Sequence, residues 1–301
     1  MKARLLNLAR FVGYLAATYV LLNFFQGSLF TAIVNALAIP QVFRNALEPR
    51  TMAISETLFL IAIVLATQLL ALTERRPFWV YGFQRTGDAL RRFFEGIGYG
   101  VLAPALVGAF MFAFGGFRIG GFALHGGDWF VYPLLWLITM LLVGFTEELA
   151  FRGYPIYALS RVTGFWPAAI VMTLLFGAAH LGKTGENAVD IASVMFIGLF
   201  VCFTLWRTGS LWLAAGFHFA FDYMQFFVIG TRNGSQEPLG HLFNVTFPGP
   251  AWVNGGPLGT EASYFIFPVI AVLFAIVNML HPRARFADVT PRSLPQPSRA
   301  L

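Results

Sequence analysis

Residues 141–159 read LLVGFTEELAFRGYPIYAL, an apolar run with helical texture that carries Glu147, Glu148 and Arg152 in its middle. Charged side chains in such a run are costly when lipid or packed protein surrounds them, so their presence demands a reason. The rest of the chain says which surroundings apply. Of 301 residues, 20 are Lys or Arg and 14 are Asp or Glu; 11% are charged, 57% hydrophobic and 17% aromatic, with 34 Phe. Soluble domains carry about 25% charged residues. A water-soluble globule of this length could not cover its surface with so few, which argues against a soluble enzyme and against a nucleic-acid binder. The net charge of +6 then has a plainer source, the basic residues that anchor cytoplasmic loops of membrane proteins. A lone cysteine, Cys202, forbids an intramolecular disulfide and any multi-cysteine metal site.

Runs of about 20 apolar residues occur at roughly 11–38, 52–72, 94–117, 130–160, 165–182, 188–206, 211–230 and 262–280. They predict an all-α, polytopic membrane helix bundle of about eight transmembrane helices. The first and fourth runs exceed one bilayer thickness, so tilting, breakage or protrusion is expected there. The N-terminus MKARLLNLARFVGYLAATYVLLNFF is basic and then apolar without a clear small-residue cleavage site, and reads as a first span rather than a signal peptide. No internal repeat supports an inverted-repeat transporter. With the N-terminus inside, fifteen basic residues fall on the inner side and five (Arg44, Arg50, Arg118, Lys183 and Arg232) on the outer. That bias places both termini in the cytoplasm and the protein in the plasma membrane if the cell is prokaryotic. The expected organisation is N-terminal spans and a cytoplasmic loop over 1–129, a core over 130–230, an extracytoplasmic loop and last span over 231–280, and a disordered tail over 281–301.

Five carboxylates lie within or at the edge of these spans: Glu56, Glu147, Glu148, Asp190 and Asp222. Two histidines, His180 and His218, share that setting. Glu148 and Arg152 are four apart on one helix face, with the acid on the N-terminal side, the better order for an ion pair. That pair is expected to neutralise itself and support the helix. Glu147 points about 100° away and is the carboxylate left for chemistry. His180 shares a face with Phe176 and Gly177. His218 and Asp222 are again four apart, a spacing at which the acid can accept a ring N–H or join the imidazole around a water or a metal. Counted from a turn near Gly164, Glu147 and His180 rise to similar heights, so one shared cavity is possible.

Two chemical outlines fit these residues. Glu147 could act as general base on a water, with His180 and His218 holding it or stabilising an oxyanion. Alternatively His180, His218 and Asp222 could bind a metal, Zn²⁺ being the natural choice, and leave Glu147 as base. No HExxH and no GxSxG element is present, so neither a compact zinc motif nor a serine nucleophile is indicated.

In order, Glu147-Glu148-xxx-Arg152, Phe176-xxx-His180 and His218-xxx-Asp222 resemble the motif series of the CAAX prenyl endopeptidase and bacteriocin-processing (CPBP) family of intramembrane proteases. The resemblance covers about residues 130–230. It implies a helical bundle with its active site sunk in the bilayer, an endopeptidase activity, and water activation by the first Glu of the pair, here Glu147. His180, His218 and Asp222 match the remaining site positions, with Glu148 and Arg152 as structural support. Many members carry Asn where this chain has Asp222; Asn can donate a hydrogen bond to an oxyanion and an ionised Asp cannot. Both metal-dependent and metal-free mechanisms are argued for such proteins. The implied partner is a membrane-associated peptide or protein, prenylated in the CAAX-processing relatives. The competing readings are a catalytically silent immunity or partner-binding protein on the same scaffold, and a proton-coupled transporter using Glu56, Glu147 and Asp222.

Overall fold

The computed structural model describes residues 2–286 except 45, 46, 183, 184, 186 and 235. Among the described residues, six helices are long and apolar enough to cross a membrane. They are α1 (Lys2–Ala36), α2 (Pro49–Thr73), α3 (Ala89–Ala113), the joined pair α4 (Asp128–Arg152) and α5 (Tyr154–Thr163), α7 (Ala188–Thr208), and the segment Gly256–Leu280 that ends in α9 (Ile266–Leu280). Between them lie α6 (Phe165–His180), of 16 residues, and α8 (Trp212–Asp222), which runs on as a π-helical turn over Tyr223–Ile229. All eight expected spans therefore fall on helices, and six reach crossing length. The fourth is broken at Gly153, as its excess length suggested.

The distribution of side chains is that of a multi-pass integral membrane protein. Leu65, Leu69, Phe110, Phe112, Leu134, Ile138, Ile170 and Leu174 are exposed, while Ala62, Ala66, Thr67, Ala103, Ala168 and Ala169 are buried between helices. Without a hydrophobic drive between helices in lipid, association relies on small residues that let backbones approach. The tightest case is α3 against α8. A Cβ on Gly96 would collide with the Leu213 carbonyl, and one on Gly216 with the Phe93 carbonyl, so this contact requires glycine on both helices.

The connecting segments gather at two ends, as alternating spans require. At one end Glu74 accepts Tyr154 Oη at 2.9 Å and Arg161 Nη1 at 2.6 Å, and Arg92 donates to the Thr208 carbonyl at 2.6 Å. At the other, Trp136 Nε1 donates to the Leu239 carbonyl at 3.0 Å, and the Leu239 N–H to the Leu47 carbonyl at 2.9 Å.

Two features modify the expected picture. The chain is not purely helical: β1 (Arg118–Phe122) and β2 (Phe243–Thr246) pair antiparallel, so the segment 231–261 is partly folded rather than one long loop. The tail expected to be disordered from His281 begins as a docked strap. His281 Nε2 meets Glu95 Oε1 at 2.8 Å, Arg285 N donates to the Trp206 carbonyl at 3.0 Å, and Phe286 is buried against Tyr157 and Phe165. Local composition is polar there, but one buried aromatic ring, one side-chain contact and one backbone hydrogen bond outweigh it. The remainder of that tail, 287–301, lies outside the described residues.

Candidate active site

The site is built where α4 and α8 come closest. Gly144 of α4 faces the backbone of α8, and a Cβ there would stand 2.9 Å from Phe219 N and 3.1 Å from the Ala215 carbonyl oxygen. One turn further along each helix, Glu147 and Glu148 meet His218 and Asp222. The glycine thus sets the spacing at which side chains from two helices can touch.

Glu148 is fully buried, at 0% exposure, and Arg152 is 1% exposed; Arg152 Nη1 lies 3.3 Å from Glu148 Oε1. The expected pairing on one helix face is present. The guanidinium also stacks 4.0 Å over the Phe176 ring of α6, a cation–π contact that tethers α6 to α4. The same Glu148 Oε1 sits 2.8 Å from His218 Nδ1. Because a carboxylate can only accept, Nδ1 carries the proton and Nε2 is the nitrogen turned to the remaining acids. Nε2 lies 3.6 Å from Glu147 Oε2 and 3.5 Å from Asp222 Oδ2. Both separations exceed a direct hydrogen bond. Glu147 is the most exposed of the three acids around His218, its side chain 22% accessible.

His180 ends α6, with Nδ1 2.8 Å from the Phe176 carbonyl oxygen and its ring edge-on to Phe176 at 4.5 Å. The carbonyl can only accept, so Nδ1–H donates and Nε2 is the available nitrogen. A cavity of about 310 Å³ is lined by Glu147, Glu148, Arg152, His180, His218 and Asp222 together. All six residues of the expected site therefore border one space, while Asp190, also singled out in the sequence, is not among its lining residues. The argument from equal heights ran along a straight helix from Gly164 to Glu147, whereas the chain breaks at Gly153; the shared cavity arises from the packing of α4, α6 and α8.

Sequence reasoning missed two things here. The contact of Glu148 with His218 makes Glu148 a support for the imidazole as well as for Arg152. The cavity also takes residues from outside the core: Glu56 of α2, and Asn233 and Glu261 from the segment after α8. Glu56 is among the intramembrane carboxylates that the sequence singles out, without its place beside this site, whereas Asn233 and Glu261 carry no such signal.

The donor set His180, His218 and Asp222 was tested as a metal site. Nδ1 of His180 is held by a backbone carbonyl and Nδ1 of His218 by Glu148, contacts that leave each Nε2 free as in a ligating histidine, but among the described residues no group of three His, Cys, Asp or Glu is placed to hold a metal ion. As arranged, these side chains do not fit a Zn²⁺ site, and no step below is routed through one.

Residues 129–224 match the family model described as type II CAAX prenyl endopeptidase Rce1-like. The matched segment is about a third of the chain. It holds Glu147, Glu148, Arg152, His180, His218 and Asp222, and it leaves out Glu56, Asn233 and Glu261. The match supports a protease-type enzyme, and the six apolar helices among the described residues support a multi-pass integral membrane protein. Comparison with curated proteins and with solved structures returned no match.

Proposed function

We propose that the protein is an intramembrane endopeptidase in which Glu147 activates the water that attacks a peptide carbonyl. The observation that carries this reading is the convergence of Glu147, Glu148, His218 and Asp222 on the cavity that His180 also lines. A water in the cavity beside Glu147 Oε2 and His218 Nε2 gives its proton to the carboxylate as its oxygen adds to the carbonyl carbon. The carbonyl π electrons move to oxygen, and the resulting oxyanion is stabilised by N–H donors. A protonated His218 keeps Nδ1–H on Glu148 and offers Nε2–H to that oxygen. His180, with Nδ1–H held by the Phe176 carbonyl, presents Nε2 as an acceptor that orients the water or the substrate amide. The tetrahedral intermediate collapses as Glu147 returns the proton to the departing nitrogen, breaking the C–N bond and leaving a carboxylate and an amine. Asp222, four residues from His218, completes the wall behind Nε2. The substrate is a peptide of a membrane-associated protein, with a prenylated CAAX C-terminus as the first class to try.

The test uses full-length protein in detergent micelles or nanodiscs with farnesylated and unprenylated CAAX peptides. Wild type should cleave, with preference for the farnesylated peptide. Glu147→Gln, His180→Ala and His218→Ala should each lose roughly 10²–10⁴-fold in turnover, the range for removing a general acid–base group. Undiminished cleavage by Glu147→Gln would sink the mechanism.

A further inference from the structure

Among the described residues, five carboxylates border the cavity: Glu56, Glu147, Glu148, Asp222 and Glu261. The only guanidinium or ammonium there belongs to Arg152, which is already paired with Glu148. Glu148 also holds His218, Glu147 and Asp222 flank its other nitrogen, and Glu261 Oε1 accepts Gln225 Nε2 at 3.3 Å. Glu56 differs. It comes from α2, and among the described residues no hydrogen bond or ion pair engages its carboxylate, Oε2 being buried without a partner; Glu148 Oε2 is likewise unpartnered, but that carboxylate is held twice through Oε1. A buried acceptor left unsatisfied is costly, and this one sits on the wall of a space with a surplus of acid. A donor brought by the substrate would relieve both.

We propose that Glu56 is a specificity-determining residue whose carboxylate receives a basic side chain of the substrate, so that the cavity selects peptides with Lys or Arg near the scissile bond. This rests on the endopeptidase reading for the word "scissile", but the recognition itself is a binding property. A cationic side chain gains a charge-assisted hydrogen bond to Oε2 and offsets the negative surplus, in a setting where screening by salt is weak. The unbranched Lys stem lies along the apolar part of the lining, which includes Phe59 and Met52 of the same helix. A neutral side chain of equal length would leave Oε2 as it stands. The residue is a contact for substrate rather than a proton carrier, so its effect belongs to affinity.

The experiment measures binding of fluorescent membrane-anchored peptides to full-length Glu147→Gln protein, which suppresses turnover. Lys is moved along an otherwise constant peptide, and each version is compared with norleucine, which keeps the stem and lacks the ammonium. At one position the Lys peptide should bind roughly tenfold tighter, the scale of one hydrogen bond to a charged group. Adding Glu56→Gln should bring that ratio close to one. Adding Glu56→Asp, which keeps the charge but withdraws it by a methylene, should leave an intermediate ratio and guards against a folding artefact in the Gln variant. A ratio near one at every position, or a preference that persists in the Gln variant, overturns the proposal. Cleavage of the same peptides by wild type reports separately. A Lys preference without Glu147-dependent cleavage would fail the endopeptidase reading and keep the role of Glu56, and Glu147-dependent cleavage without the preference would do the reverse.

Discussion

Glu148 Oε1 lies 2.8 Å from His218 Nδ1, across 70 positions of chain. The same oxygen is 3.3 Å from Arg152 Nη1. A residue that looks from its own helix like half of an ion pair is therefore the middle of a three-membered unit. It fixes the imidazole of α8 and the guanidinium of α4 at once, and through the stacking of Arg152 on Phe176 it reaches α6.

Read from the sequence alone, exchanging Glu148 and Arg152 should recover part of the fold lost in either single reversal. The geometry sharpens that expectation. In the doubly exchanged protein a cation would face His218 in place of an acceptor, so folding should recover in part while peptide cleavage stays absent. Melting in detergent and cleavage of a CAAX peptide, measured on the same preparations, separate the two.

Replacing one acid of the adjacent pair should have the opposite profile from replacing the other. Glu148→Gln leaves Arg152 buried without a counter-charge and should cost about 3–5 kcal/mol. Glu147→Gln leaves Glu148 and Arg152 paired and loses only the partly exposed 3.6 Å approach to His218 Nε2, so it should cost about 1 kcal/mol or less while abolishing turnover. Thermal unfolding midpoints beside kcat decide it; equal destabilisation by both would contradict the assignment.

Gly144 sets the distance between α4 and α8. Gly144→Val should force the helices apart, costing about 1–3 kcal/mol as an overpacked contact, and should remove cleavage because Glu147 and His218 separate. Gly144→Ala should give a smaller loss of both. A Val variant with wild-type turnover would show that this contact does not position the site.

Phe286 and His281 tie the C-terminal strap across the ends of α3, α5, α6 and α7. Phe286→Ala should lower stability by up to about 3 kcal/mol through loss of the packing on Tyr157 and Phe165. His281→Ala should weaken the same end by a smaller amount through Glu95. Increased proteolysis near residue 280 in the Phe286 variant would register the released strap.

Much of the fold is legible in the sequence because its signals are local. Each of the eight apolar runs forms helix, and the overlong fourth run breaks at Gly153, just after the charged cluster. The pairs Glu148–Arg152 and His218–Asp222 are legible for the same reason, since spacing of four along one helix fixes both partners. The strand pairing of Arg118–Phe122 with Phe243–Thr246 is not, because it joins segments over a hundred residues apart in a stretch rich in Gly and Pro. Nor is the docking of Phe286, where the surrounding composition is polar and one ring finds a pocket made by two other helices.

By itself the sequence determined that this chain lives in a membrane and which charged groups its spans must accommodate. Lipid offers the backbone no hydrogen bonds, so apolar runs of about 20 residues span it as helices, and any charged exception stands out in the one-dimensional record. Only the tertiary structure decided which exceptions meet. That depends on the close approach of α4 to α8 at Gly144 and of α2 to the same cavity, which brings Glu148 to His218 and Glu56 to the site. Contacts between helices are made by faces and distances that no local run of residues encodes.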